Sequence, residues 1–298
     1  MIEFSIVVVA YHSADDLATL IASIDEAAAG ETWHLTIVNN ATDAPIPPEL
    51  AGDPRISIIE TGANLGYSGG INRGRAEAPA ARKTVVLNPD LTLGRGSLRE
   101  LAGAIDRGAD AAVPLIRDSA GNRQDSLRRE PSLSRALGEA VFGDSWPSRP
   151  GPLSETVRDD EAYRREHDID WATGAALMVR ADIADAVGDW DDQRFFMYSE
   201  ETDYARRLRA AGGRIRFVPS SIVEHAAGGS GSSRDLDALL EVNKLRYYRK
   251  WHGPMASAAF ALALVVRNAA RPHRAGARRA LHALLSSTVR ASLPGGAR

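Results

Sequence analysis

The fold is decided by Phe4-Ser5-Ile6-Val7-Val8-Val9-Ala10, a run in which β-branched residues follow one another without polar alternation. A continuous apolar run of this kind is typical of a strand buried on both faces of a parallel sheet. Residues 13–28 then predict a helix, with Ser13 as its N-cap and two aspartates in its first turn. The chain therefore opens with a strand-helix unit.

The same alternation continues through the first half of the chain. Further elements are predicted as strands at 34–38, 56–60, 83–87 and 111–115 and as helices at 68–77 and 98–106. This order predicts right-handed βαβ units, and hence an α/β fold with a Rossmann-like, mostly parallel central sheet flanked by helices. Ligands bind such sheets at the carboxyl ends of the strands. Asn39, Asn64 and Asp90 all fall at or just after those ends.

The second half is less regular. Residues 118–169 are rich in Arg, Pro and Ser and predict a flap with one short helix, at 133–142. A Gly/Ser-rich stretch at 226–233 predicts a flexible loop. The other predicted elements are structured segments at 171–180 and 183–187, helices at 200–211, 236–252 and 255–270, and a strand at 214–218.

Composition excludes several classes of function. The 298 residues include no cysteine, which excludes disulfide scaffolds, thiolate metal sites and a cysteine nucleophile, and fits a reducing cytosol. A net charge of −3 predicts no nucleic-acid partner. Glu3 stands where a signal peptide would be basic. The apolar segment 255–266 is shorter than the roughly 20 residues that a spanning helix needs. We therefore expect a cytoplasmic protein.

Asn88-Pro89-Asp90 directly follows a predicted buried strand. A carboxylate there suits a divalent cation that bridges the phosphates of a nucleotide diphosphate and neutralises the leaving group. The tripeptide is also ordinary turn chemistry. His225, at the end of a strand and before the glycine-rich loop, offers a neutral nitrogen ligand to the same metal.

Two further motifs carry chemistry. In Asn64-Leu65-Gly66-Tyr67-Ser68-Gly69-Gly70-Ile71-Asn72, glycines before a helix let backbone amides approach a phosphate, although a tight strand-to-helix turn explains them equally well. Glu200-Glu201-Thr202-Asp203 opens a helix, where acids favour the helix dipole and where one carboxylate can deprotonate an acceptor hydroxyl. Glu200 and Asp203 share a helix face, and Glu201 points elsewhere.

In this order the motifs resemble those of family 2 glycosyltransferases, and within them the rhamnosyltransferase-like bacterial enzymes. The resemblance covers residues from about 4 to 250 and implies a GT-A fold. It is carried by Val7-Val8-Val9-Ala10-Tyr11, Ile37–Asp43, Asn64–Asn72, Leu87–Asp90, Gly174–Met178 and Phe195–Leu208.

The resemblance implies a role for each matching position. Asp90 would bind Mg²⁺ or Mn²⁺ as the last residue of a variant DXD motif, and His225 would complete the metal site. Glu201 occupies the position of the catalytic base, usually Asp in the family, so Glu200 and Asp203 stay candidates as well. The nucleotide-sugar would be bound by Ala10, Tyr11, Asn39, Asn64, Gly69, Asn88, Trp171 and Gly174. Asn39 stands where the family commonly has Asp.

The expected reaction is inverting transfer of a sugar, such as rhamnose, from a dTDP- or UDP-sugar to a saccharide or polyprenyl-linked acceptor of the cell envelope. Residues 228–233 would close over the donor. We expect a catalytic domain at 1–250, with a nucleotide-sugar half at about 1–115 and an acceptor half at about 170–250, followed by an amphipathic helical region at 251–298.

The C-terminal region leaves two interpretations open. No acidic residue follows Glu241, whereas arginines are frequent there. This charge favours contact with an anionic membrane at the inner face of the cell envelope, and a packing or homodimer helix with solvated arginines fits equally well.

Two rival functions make different demands on the sequence. A nucleotidyltransferase would normally carry a basic glycine-rich signature after the first strand, where this chain has Tyr11-His12-Ser13-Ala14-Asp15. A non-catalytic nucleotide-sugar-binding module would need neither the acidic trio nor a metal.

Overall fold

The computed structural model of the protein describes residues 1–143, 145–226 and 233–296. The strands in these ranges are β1 (Ile2–Ala10), β2 (Trp33–Asn39), β3 (Ile56–Glu60), β4 (Ala81–Leu87), β5 (Leu91–Leu93), β6 (Ala111–Arg117), β7 (Leu127–Arg128), β8 (His167–Ile169), β9 (Trp171–Ala172), β10 (Ala176–Arg180) and β11 (Ile215–His225). The helices are α1 (Ala14–Ala28), α2 (Gly66–Glu77), α3 (Ser97–Asp106), α4 (Leu133–Val141), α5 (Ala181–Val187), α6 (Glu200–Ala210), α7 (Arg234–Trp251), α8 (Pro254–Ala269), α9 (Ala275–Leu285) and α10 (Ser287–Ala291).

A central sheet organises the molecule, in the order β3-β2-β1-β4-β10-β6-β11-β5, with β8 paired to β11. The pairs among β1, β2, β3 and β4 are all parallel, which confirms the predicted α/β class. Strand β10 runs antiparallel to both β4 and β6, so the second half of the sheet is mixed. Ala10 pairs with Asn39, and Val8 pairs with Leu87, so the carboxyl ends of β1, β2 and β4 lie at one edge.

Helices cover both faces of the sheet. On one face, Leu17 and Ile24 of α1 and Leu101 of α3 pack with the buried side chains of β1 and β2. On the other face, Ile71 of α2 and Tyr204 of α6 belong to a second cluster with β6 and β11. Because both faces are covered, β1 is buried from Phe4 to Ala10, as the opening run predicted.

Strand β11 extends seven residues beyond the predicted strand at 214–218 and ends at His225. A register shift between Val218 and Ile222 breaks its pairing with β6. After that break β11 pairs with the short strand β5, and His225 stands opposite Leu91. Three residues are too few to give β5 a recognisable period, and the sequence did not predict it.

The C-terminal helices pack against the rest of the chain. Phe260 and Leu264 of α8 are buried against Ala136 of α4 and Tyr248 of α7. Helices α9 and α10 fall within the predicted helical region at 251–298, although their bounds were not predicted. No helix in the described part of the chain is long and apolar enough to cross a membrane. The predicted division at residue 250 stays a prediction.

Candidate active site

A cleft of about 490 Å³ opens at the carboxyl ends of β1, β2 and β4. The first strands contribute polar side chains to it, and the C-terminal half contributes apolar ones. Its lining residues are Val9, Tyr11, His12, Ser13, Asn40, Asn64, Gly66, Tyr67, Asn88, Pro89, Asp90, Phe196, Met197, Leu236 and Pro294. The sheet thus gathers residues from most of the sequence motifs at its predicted ligand-binding edge, whereas Gly174 and the acids of α6 do not line this cleft.

Asp90 and His225 meet beside this cleft. Pairing of β5 with β11 brings Oδ1 of Asp90 within 3.2 Å of Nε2 of His225. The backbone N–H of Ala226 donates to the carbonyl oxygen of Asp90 and fixes the loop after β4. One carboxylate and one imidazole are suitable donors for Mg²⁺ or Mn²⁺, whose remaining positions phosphate oxygens and waters fill. No group of three or more metal-binding side chains occurs among the described residues.

Tyr67 bridges the loop that carries Asp90 and the segment at Gly174, which lies beside the acids of α6. Its hydroxyl lies 2.9 Å from Oδ1 of Asn88 and 3.1 Å from the carbonyl oxygen of Gly174. Burial raises the pKa of Tyr67 well above its usual value, and the nearby carboxylates of Glu200, Glu201 and Asp90 raise it further. The charges of these three carboxylates therefore all act on one phenol. Tyr67 belongs to the glycine-rich motif, but the sequence did not predict it as a site residue.

A strained turn precedes the acids. Tyr198 and Ser199 have φ of 73° and 68°, a left-handed conformation that is costly for residues with a Cβ. Asn243 of α7 donates from Nδ2 to the carbonyl oxygens of Met197 and Tyr198 and holds the turn. Gly66 approaches the same turn so closely that an added Cβ would lie 2.3 Å from the carbonyl oxygen of Phe196. The turn thus fixes the direction in which α6 begins.

Glu200 and Glu201 carry buried, unpaired carboxylate oxygens. Oε2 of each has no hydrogen-bond partner among the described residues. Burial raises the pKa of Glu201 to about 7, while the positive charge of Arg128 acts in the opposite direction. Burial, and then the charge of Glu201, raise the pKa of Glu200 well above its usual value. A carboxylate with pKa near neutrality and a free oxygen is suited to accept a proton.

Trp171 and Gly174 lie beside Glu201. They line one small enclosed cavity with it, and an added Cβ on Gly174 would lie 3.7 Å from Cβ of Glu201. Nε1 of Trp171 donates to the carbonyl oxygen of Arg129, which locks the indole. Tyr67 contacts both this cavity, through Gly174, and the large cleft.

Asp203 has different surroundings. It is fully buried, and it accepts hydrogen bonds from Arg207, Lys250 and Nε1 of Trp251. Its oxygens are thus occupied by two cations and an indole. The shared helix face of Glu200 and Asp203, inferred from their spacing, does not place Asp203 at Tyr67, and we leave it out of the proposed base.

The predicted nucleotide-binding residues fall into two groups. Tyr11, Asn64 and Asn88 line the cleft, whereas Ala10, Asn39 and Gly69 are not among its lining residues. Nδ2 of Asn39 donates to Glu60 and to the carbonyl oxygen of Ala44, and its Oδ1 accepts from the N–H of Ala41.

Asn39 therefore shapes the loop after β2 with its side chain. Gly69 sits where an added Cβ would be 3.0 Å from Cβ of Leu65, within α2 packing. The predicted closing loop, 228–233, lies outside the described residues except for Ser233, the N-cap of α7.

The far wall of the cleft comes from the end of the chain. Pro294 and Leu236 line it together with Phe196 and Met197. Leu293 is buried among side chains of α7 and α9. An added Cβ on Gly295 would lie 2.4 Å from Cβ of Phe196, so the segment packs directly on the residues before the strained turn. No sequence motif had indicated this wall.

Comparison with known proteins agrees with this geometry. The sequence model of glycosyl transferase family 2 matches residues 5–167. The chain is 34% identical over 239 residues to N-acetylglucosaminyl-diphospho-decaprenol L-rhamnosyltransferase of Mycobacterium tuberculosis, covering 76% of this chain and 77% of that protein. The chain belongs to glycosyltransferase family 2. The matching model is that of a glycosyltransferase family, and not that of a nucleotidyltransferase or of a non-catalytic binding module.

Other similar proteins are more distant in sequence. Rhamnosyltransferase WbbL of Escherichia coli is 29% identical over 144 residues, which covers 47% of this chain and 51% of WbbL. The structure of GalNAc-T7 with UDP, GalNAc and Mn²⁺ superposes with a TM-score of 0.56 at 13% identity, covering 84% of this chain and about half, 51%, of GalNAc-T7. Staphylococcus aureus TarS residues 1–349 with UDP-GlcNAc gives a TM-score of 0.51 at 12% identity, covering 94% and 83%. At these identities the two structures support the fold alone.

Proposed function

We propose that this glycosyltransferase moves a deoxyhexose such as rhamnose from a dTDP- or UDP-sugar to a hydroxyl of a saccharide carried on a polyprenyl diphosphate, with inversion at the anomeric carbon. Support for the sugar and the acceptor comes from the mycobacterial relative, whose name specifies rhamnose and a decaprenol-linked saccharide. Such an acceptor would place the reaction at the inner face of the cell membrane.

The observation that carries the proposal is the unpaired, buried Oε2 of Glu201 near the cleft that contains Asp90. Glu201 would take the proton of the acceptor hydroxyl as the hydroxyl oxygen bonds to the anomeric carbon. The bond from that carbon to the nucleotide diphosphate breaks in the same step, and the diphosphate leaves with the electron pair. One displacement of this kind inverts the configuration.

Asp90 and His225 would hold Mg²⁺ or Mn²⁺, which when bound neutralises negative charge on the diphosphate. The carboxylate and imidazole stand close enough to share one ion. Tyr67 would hold Asn88 and Gly174 at a fixed distance from each other. The donor bound beside Asn88 and the base Glu201 beside Gly174 would then stay correctly placed for one reaction.

Purified enzyme tests this with dTDP-rhamnose, UDP-rhamnose and UDP-GlcNAc as donors and a short-chain polyprenyl-diphospho-GlcNAc as acceptor. We expect Mn²⁺- or Mg²⁺-dependent transfer from one donor, with an anomeric configuration opposite to the donor's by NMR. Glu201→Gln should lower kcat by about 10²–10⁴-fold, the usual contribution of a general base. Asp203→Asn is the matched control for charge on α6, and its folding is checked by circular dichroism. Full activity of Glu201→Gln, or retention of configuration, would overturn the assignment.

A further inference from the structure

Large exposed apolar side chains are concentrated in one part of the molecule. In the described ranges, Met1, Tyr11 and Ile222 are the ones outside the C-terminal helices and the helix that packs on them. The others are Leu137, Val141, Trp146, Met255, Leu262, Val266 and Leu285, on or next to α4, α8 and α9. Scattered exposed apolar residues are normal on a protein surface, but a concentration of them marks an interaction site.

The clearest part of this surface is the outer face of α8. Met255, Leu262 and Val266 are 88%, 63% and 48% exposed. Intervals of seven and four residues place them on one line along the helix. The opposite side of α8 carries Phe260 and Leu264, which are buried against α4 and α7. The helix is therefore apolar on both sides. Its inner side packs in the core, and its outer apolar side has no packing role in the described part of the chain.

The neighbouring helix keeps this face in place. Leu137 and Val141 lie one turn apart on α4 and are 47% and 70% exposed. Nη2 of Arg271, directly after α8, donates to the carbonyl oxygen of Glu139 on α4. The two helices are thus fixed to each other by packing and by this hydrogen bond.

The charge at the C-terminal end of α8 is positive. No acidic residue follows Glu241 in the chain. The turn between α8 and α9 exposes His273 and Arg274, and Arg278 follows on α9. Basic residues beside an apolar helix face complement the anionic headgroups of a bilayer.

We propose that the outer face of α8, with Leu137 and Val141 of α4, docks on an anionic membrane surface. This inference rests on the proposed polyprenyl-linked acceptor, which has to be reached at a bilayer. Helix α8 is sixteen residues long, about 24 Å, and would lie in the plane of the interface with its apolar line among the upper acyl chains. A second copy of the chain is the competing occupant. A two-fold interface would use this basic surface on both copies, and no acidic residue after Glu241 is present to offset its charge.

Vesicle flotation of the full chain tests the proposal. The probes are vesicles of equal parts phosphatidylglycerol and phosphatidylcholine, and vesicles of phosphatidylcholine alone. The triple variant Met255→Ser, Leu262→Ser, Val266→Ser removes the apolar line. The single variant Leu262→Ser is compared with a matched control, Ile222→Ser, at an exposed apolar residue of β11 outside this face. We expect the wild type to float with the anionic vesicles and the triple variant to lose about tenfold or more in partitioning, since each side chain contributes on the order of a kcal/mol. Higher salt should weaken wild-type binding.

Two results would overturn the proposal: equal flotation of the wild type and the triple variant, or no flotation of the wild type. A wild-type dimer that becomes monomeric in the triple variant, by sedimentation, would assign the face to a second copy instead. Transfer to a water-soluble acceptor analogue separates this inference from the proposed function. The triple variant should keep the wild-type rate on the analogue and lose activity only on acceptor embedded in vesicles. If the wild type transfers no sugar to either acceptor, the proposed function fails, and flotation still decides the docking.

Discussion

The pKa of Glu201, raised by burial to about 7, predicts the pH dependence of catalysis. A base must be ionised to accept a proton, so kcat/KM should fall about tenfold per pH unit as the pH drops below about 7. Arg128 holds this pKa down, so Arg128→Gln should move the acid limb to higher pH. Arg128→Lys keeps the charge and should leave the limb in place. Steady-state kinetics from pH 5 to 9 measure this, and an acid limb near pH 4 in the wild type would contradict the assignment.

Glu200 predicts an effect on stability. Its pKa is raised in the folded state, so folding favours its protonated form, and that stability is present below the usual value of 4.5 and lost as the pH rises through the folded value. Glu200→Gln removes the charge and should raise Tm at pH 8 by about 2–4 °C, with little change at pH 4.5. Thermal unfolding at both pH values measures it. A variant that is less stable at pH 8 would show that the carboxylate is ionised and well accommodated.

Residue roles were the hardest part to predict from the sequence. Glu201 and Asp203 stand two positions apart, yet the carboxylate of Asp203 is paired and one oxygen of Glu201 has no partner in the described part of the chain. Two of the partners of Asp203, Lys250 and Trp251, lie more than forty positions downstream. Asn39 ends its strand as predicted, yet its side chain is bonded to Glu60 of the next strand. Partners so distant in sequence leave no mark in a local motif.

At the scale of elements, Gly66 makes the entry to α2 sensitive to a single methyl group. Gly62 and Gly66 both have positive φ, of 69° and 78°, so alanine strains the backbone at either position. A Cβ at Gly62 meets nothing within 4 Å, whereas one at Gly66 would collide with the carbonyl oxygen and ring of Phe196. Gly66→Ala should therefore cost about 1–3 kcal/mol more in unfolding free energy than Gly62→Ala. Chemical denaturation of both variants measures this difference, and equal losses would show that the turn at Phe196 is free to move.

Elements with a strong period were predictable, and short or inserted ones were not. The apolar runs of β1, β2 and β4 fixed the parallel half of the sheet because burial on both faces demands them. Strand β5 has only three residues, too few for a recognisable pattern. Strand β10 lies in the structured segment predicted at 171–180, but its sequence does not reveal that it runs antiparallel to β4. Direction within a sheet depends on how the chain returns after the 118–169 segment, which local sequence does not encode.

The two ends of the chain meet at one cleft, which was not expected of a separate C-terminal region. Val9 and Tyr11 from the first strand-loop unit face Leu236 and Pro294 across the same cleft. The motifs of the first half line the polar side, and Phe196, Met197, Leu236 and Pro294 supply much of the apolar side. The family model matches residues 5–167, so this wall lies beyond the matched part of the chain.

Leu293 anchors that wall, and its loss should expose the cleft to water. It is 4% exposed and packs with Leu239, Val242 and Ala283. Leu293→Ala should lower the free energy of unfolding by about 2–4 kcal/mol, as for other buried leucines. A loosened wall should also admit water to the donor, so the ratio of donor hydrolysis to sugar transfer should rise. Leu285→Ala, at a side chain that is 68% exposed, is the control and should change neither quantity. Chromatographic counting of free and transferred sugar gives the ratio. An unchanged ratio in a folded Leu293→Ala protein would mean that the wall serves packing only and leaves the substrate untouched.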